Sequence, residues 1–142
     1  MAFLTDTDYH AQIRPEQLDR LIENNQSLRL DAEGKAISQA KSRLRVRYNV
    51  DEIFLKTGTD RHQELVMYVV DLSLYHLHSR NAPGQVPANR AQRYQDALDW
   101  LGKVAEGSWD AGLPTVGDLD GNGVDDKNVV QWGSRKPRNP YF

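Results

Sequence analysis

Apolar positions along this chain recur every three or four residues as far as about Leu101, the spacing of helices that bury one face. Thr5 or Asp6 is placed to cap a first short helix through Ile13. Pro15 suits the first turn of a second, PEQLDRLIENN, in which Leu18, Leu21 and Ile22 share a face and Asn24-Asn25 ends the run. A third helix is predicted from about Asp31 to Arg47. Its stripe is narrow: Ala36, Ile37, Ala40 and Leu44. Asp31 is its expected N-cap, with acids Asp31 and Glu33 early and Arg45 and Arg47 late, an order that suits the helix dipole. Val50, Ile53, Phe54 and Leu55 predict a helical turn docked on the body, and Thr59 or Asp60 is placed to cap the next helix.

That next helix, Arg61 to about Ser79, carries Leu65, Val66, Val69, Val70, Leu72, Leu74 and Leu77. Apolar positions on nearly every side predict a central helix with most of its faces covered. Its β-branched content admits a strand, but its length argues for a helix. Asn81-Ala-Pro-Gly84 breaks the pattern. Pro87 opens the last long helix, with Tyr94, Ala97, Leu98, Leu101, Val104 and Ala105 on one stripe and Gly107 as C-cap. Trp100 falls among core positions, Trp109 lies just past the helix end, and Tyr48 and Tyr94 read as core-edge residues with a wet hydroxyl.

The texture then changes. Gly107 to Asp126 has no cation and is rich in aspartate; VVQWGSRKPRNPYF is a short strand-like piece followed by a basic, proline-containing end. The fold class is mainly α: a small bundle of about four to five helices, an acidic loop, and an extended C-terminal arm containing a short strand. The divisions fall at 1–107 for the helical domain, 108–128 for the acidic loop or linker, and 129–142 for the arm.

Composition narrows the chemistry. The chain has 142 residues, one ordinary domain, and a formal net charge of -2, which makes no case for general nucleic-acid or anionic-membrane binding. Without cysteine there are no disulfides, zinc thiolates or thiol catalysis. The opening MAFLTDTDYH lacks the basic and apolar regions of a signal peptide, and no apolar run reaches a membrane span. His76 and His78, two apart, face different ways on a helix, where a metal pair needs three or four. No phosphate loop or serine elbow occurs. The residues give no reason to expect an enzyme or a required cofactor.

Two features offer binding. Lys41, Arg43, Arg45 and Arg47 form a basic run; on a helix Lys41 and Arg45 share one side and Arg43 and Arg47 a neighbouring one. Such a side suits phosphates, or equally a solvated face whose cations pair with acids, perhaps on a neighbouring subunit. The loop DLDGNGVDD places Asp118, Asp120 and Asn122 at calcium positions one, three and five, Gly123 at six, the Val124 carbonyl at seven and Asp126 at nine. Position twelve is Val129, which has no carboxylate, and neither flank reads as a helix. Calcium is the one cofactor this loop admits; Asp-Gly and Asn-Gly also simply form turns. The arm carries Trp132, Arg135, Lys136, Arg138, Tyr141 and Phe142, residue types that anchor interfaces, and equally suits a solubilising tail.

Several segments in order carry a resemblance: the start MAFLTDTDY, then AKSRLRVRYNVDEIFLKTGTDRH, RYQDALDWLGKVAEG and the ending QWGSRKPRNPYF. Together they resemble the Mu-like prophage family of small head–tail connector, or head-completion, adaptor proteins, in the variety found in phages of Bacteroides-type bacteria. That resemblance implies a helical adaptor that forms a ring, a dodecamer, in the virion neck after assembly in the bacterial host cytoplasm. It implies as partners the portal protein, a tail-side neck or tail terminator protein, and genomic DNA crossing the lumen without sequence-specific contact, with no membrane. It implies no role for the loop from Asp118 to Asp126.

Overall fold

The computed structural model describes residues 2–81 and 84–117. Among them are six α-helices: α1 (Asp6–His10), α2 (Pro15–Ile22), α3 (Gln26–Leu44), α4 (Val50–Leu55), α5 (Gln63–Asn81) and α6 (Ala88–Glu106), with a 3-10 turn at Gly58–Asp60. The architecture is the expected small helical bundle, with one or two more helices than the periodicity counted. All seven apolar residues assigned to the central helix are buried in α5. The Tyr75–Tyr94 stack and the Tyr68–Trp100 contact run in opposite chain directions, so α6 lies antiparallel to α5. On α3 the buried stripe is Ala32, Ala36, Ala40 and Leu44. Small residues let that helix approach α5 closely, and Leu44 closes the top.

Two helix starts and one helix end differ from expectation, for local reasons. α3 begins at Gln26, because Asn25 caps it: its side-chain oxygen accepts from the Ser27 N–H at 3.1 Å. Glu23 and Asn24 both adopt left-handed backbone, which reverses the chain within one turn of α2. The Asn-Asn pair therefore both ends one helix and starts the next. Asp31 is no cap; it lies inside α3 and pairs with Lys35 at 3.1 Å. α5 begins at Gln63, capped by His62, whose Nδ1 accepts from the Leu65 N–H at 3.2 Å, while Thr59 and Asp60 sit in the 3-10 turn. α1 stops at His10 instead of Ile13, and the chain is extended at Arg14, as the residue before a proline prefers.

α6 ends where Gly107 adopts φ 85, and the N–H groups of Gly107 and Ser108 bond the Val104 and Lys103 carbonyls at 3.2 and 3.0 Å. A Cβ on Gly107 would also collide with the guanidinium of Arg47. Gly107→Ala should therefore cost about 1–2 kcal/mol, from left-handed strain and displacement of Arg47. Urea unfolding should show a lower midpoint at unchanged slope; an unchanged midpoint refutes it.

Residues 108–117, the first part of the stretch read as linker, pack back onto the helices. Leu113 is buried, and Tyr48 and Thr115 form an antiparallel bridge with Asn49 N–H donating to the Pro114 carbonyl at 2.9 Å and Val116 N–H to the Arg47 carbonyl at 3.1 Å. Tyr48 is not wet: its hydroxyl donates to the Val104 carbonyl at 3.0 Å, in the last turn of α6, where carbonyls lack full helical partners. Trp100 is core as expected, and Trp109 is half exposed under the Lys103 ammonium, 4.5 Å from its ring centre.

Candidate functional site

α3 stops at Leu44 with Arg45 as its right-handed C-cap, whose N–H bonds the Lys41 carbonyl at 2.9 Å, so Lys41 and Arg45 keep their helical relation while Arg47 lies beyond the helix. The helix gives way because Tyr48 buries its ring and pairs with Thr115, which draws residues 45–48 into a turn. Arg47 swings back, its guanidinium 3.5 Å from the Glu106 carbonyl at the negative end of the α6 dipole. Lys41 lies 4.0 Å from Asp51 and over the Phe54 ring at 5.7 Å. Arg43 and Arg45 remain exposed. Two of the four cations thus make contacts within the chain itself.

The same end carries an apolar surface that periodicity did not single out. Among the described residues, Val46 is 89% exposed, Leu55 80%, Val116 50% and Trp109 48%. One exposed leucine needs no explanation, but Val46 and Val116 sit within two residues of the Tyr48–Thr115 bridge, while Trp109 follows the end of α6 and Leu55 ends α4. Leu55 was expected to dock on the body with Val50, Ile53 and Phe54; those three are buried and Leu55 points away. The signal that could have revealed it is position: Leu55 is the last residue of α4 and lies about 100° round the helix from Phe54, off the face made by Val50, Ile53 and Phe54.

The buried polar groups are structural partners. Tyr9 and Ser73 share a buried hydrogen bond of 2.8 Å, and burial pushes the Tyr9 phenol far up from its ordinary value. Glu33 lies on the alanine stripe of α3, where burial raises its carboxyl despite Arg29 at 3.2 Å. Asp71, on the central helix, is raised by burial against the opposing pull of Arg93 at 2.9 Å. His76 bonds Gln39 at 2.6 Å and is held below its ordinary pKa by burial and by Lys35. Among the described residues no group of three His, Cys, Asp or Glu could hold a metal ion, and no helix is long and apolar enough to cross a membrane.

The loop positions Asp118, Asp120, Asn122, Val124 and Asp126 and the arm positions Trp132, Arg135, Lys136, Arg138, Tyr141 and Phe142 lie outside the described residues. What the structure adds is the point from which they depart: Gly117 follows Val116 at the apolar, cation-bordered end.

No curated protein and no solved structure matches this chain. A family model does, the one described as Bacteriophage Mu, Gp36, over residues 3–125, which takes in every helix and the Asp118–Asp125 part of the acidic loop. A match of that extent assigns the chain: it belongs to the Bacteriophage Mu Gp36 family.

Proposed function

We propose that this chain is a head–tail connector subunit, an adaptor of a tailed-phage neck that assembles as a ring between the portal and the tail-side neck or terminator protein. The observation that carries the reading is the exposure of Val46, next to Arg45 in the chain, and of Val116 on the two segments joined by the Tyr48–Thr115 bridge, with Leu55 and Trp109 exposed at the ends of α4 and α6. Apolar surface rimmed by charge marks sites of association, and repetition of one such contact around an axis closes a ring. The core behind it suits a ring subunit, since α3, α5 and α6, each of 19 residues, make a rigid block about 28 Å long. Function in this reading lies in contacts, without covalent chemistry, and the genome passes through the ring lumen without a sequence-specific grip. Membership of a phage protein family supports it further.

Quantitative mass spectrometry of density-purified particles, with the portal as internal standard, tests the reading. The expected result is a copy number comparable to the portal's. Absence from intact, tailed particles rejects the connector role.

A further inference from the structure

At the other end of the bundle, α2, the last turns of α5 and the first turn of α6 border an open cleft of about 420 Å³. That lies within the roughly 300–1,000 Å³ of small-ligand sites. Its polar lining is Arg20 and Gln17 from α2, His78 and Asn81 from α5, and Asn89 and Arg90 from α6. No carboxylate lines it. Two cations, an imidazole and three carboxamides facing one space, without an acid, form a donor-rich and electropositive site.

The donors are not used up within the subunit. Among the described residues, neither Arg20 nor Arg90 takes part in a salt bridge. Arg90 gives one guanidinium nitrogen to the Gln12 carbonyl at 2.9 Å. Of the α2 acids and the residue that follows them, Glu23 is engaged by Arg80 at 3.6 Å, and neither Glu16, Asp19 nor Glu23 reaches the lining. His78 Nε2 is buried without a hydrogen-bond partner. A buried polar atom left unpaired is costly, and few such atoms occur without a reason. Burial and Arg90 also hold His78 below its ordinary pKa, and burial and Arg93 hold Arg90 below its own. A negative group in the cavity relieves both. Ile13 and Leu21 form its apolar wall, so the ligand has a short apolar stem as well as a charge.

We propose that this cleft binds an oxyanion, a carboxylate or phosphate group that takes its hydrogen bonds from Arg20 and Arg90 and lies beside the His78 ring. The site rests on the cavity alone and stands whether or not the chain is a connector. One source of such a group is at hand in the acidic stretch Asp118–Asp126 of a second copy. In the same copy the last described residue before that stretch, Gly117, lies by the opposite end of α6, about 28 Å away along that helix. A free phosphate is the other source.

The test is titration of the full-length chain, followed by the imidazole nitrogen resonances of its histidines. Inorganic phosphate is added at constant ionic strength, against sodium chloride, and in a separate arm a synthetic peptide of sequence GDLDGNGVDD. The expected result is a saturable shift at His78 well beyond any at His10 and His62. Arg20→Gln should weaken the apparent affinity about tenfold or more, as loss of one charge-assisted hydrogen bond does. Arg20 is exposed, so that variant folds even if Arg90→Gln does not. Saturation by the peptide at the lower concentration assigns the site to carboxylates of another chain; saturation by phosphate at the lower concentration assigns it to a free anion. A His78 shift no larger than that of His10, one reproduced by chloride, or one unchanged by Arg20→Gln overturns the site.

Discussion

Arg61→Ala should cost about 3–5 kcal/mol of folding free energy, the loss expected when one partner leaves a buried ion pair. The side chains of Arg61 and Asp8 are only 8% and 11% exposed. Their contact is two-pronged: NH1 to Oδ2 at 2.6 Å and NH2 to Oδ1 at 3.2 Å. NH1 also donates to the Phe3 carbonyl at 2.6 Å and Nε to the Gly58 carbonyl at 2.9 Å. One guanidinium therefore ties the N-terminal segment and α1 to the turn before α5. Alanine leaves the Asp8 carboxylate without its counter-charge, with only Thr5 still donating to it, and takes the Arg61 donors from the Phe3 and Gly58 carbonyls, whereas exposed pairs of the Arg80–Glu23 type are worth about 0–1 kcal/mol. Burial by itself would raise the Asp8 carboxyl; the Arg61 guanidinium and the Thr5 N–H outweigh it and hold it below its ordinary 3.8. A depressed carboxyl stabilises the fold above 3.8, and that contribution is lost as pH falls through the lower folded value. The gap between wild type and Arg61→Ala in urea unfolding should thus be widest near neutrality and narrow below that value. A gap under about 1 kcal/mol at neutral pH would mean the pair behaves as a surface pair, against its burial.

This contact shows what one chain of letters conceals. Asp8 and Arg61 are 53 residues apart, and no local pattern joins them. Periodicity placed Arg61 at the head of a helix; in the structure it is the residue before the His62 cap, freed to turn toward Phe3. The central helix was legible because seven apolar residues in one run have no alternative to burial. Gly107 was legible because a left-handed C-cap favours one residue type. The α3 start was not: Asn24-Asn25 reads as a stop, and its second role depends on the left-handed pair Glu23-Asn24. Glu33, in register with Ala36 and Ala40, read as a dipole partner, yet it is buried against Arg29 and Tyr9. The basic run was legible as charge, but the point at which its helix ends was not, because the Tyr48–Thr115 pairing beyond it is a tertiary event. The oxyanion cavity left no linear trace, since its polar lining comes from three helices.

Val46→Asp combined with Leu55→Asp should leave the subunit as stable as wild type and abolish its incorporation into particles. Both side chains lie in solvent, at 89% and 80% exposure, so the fold loses almost no buried area. Surface changes of that kind usually fall within about 0.5 kcal/mol. Exposed apolar area is also removed, and the new carboxylate next to Arg45 gains a local counter-charge, so the free variant should be the more soluble. The outcome in an interface is opposite. A carboxylate driven into an apolar seam is desolvated without a partner, and an anchor lost from the centre of a contact is worth about 2 kcal/mol or more, roughly thirtyfold in affinity. Two such losses approach about a thousandfold if they act independently, and a ring repeats them at every seam. Complementation of a phage lacking the gene, scored as tailed particles by electron microscopy, measures this directly. Leu30→Asp is the control: that side chain is also exposed, at 53%, but sits in the first turns of α3, away from the Tyr48–Thr115 bridge. It should complement as wild type does. Normal particle yield from the double variant would show that this end of the bundle touches nothing in the virion, and would move the assembly contacts to residues beyond Gly117.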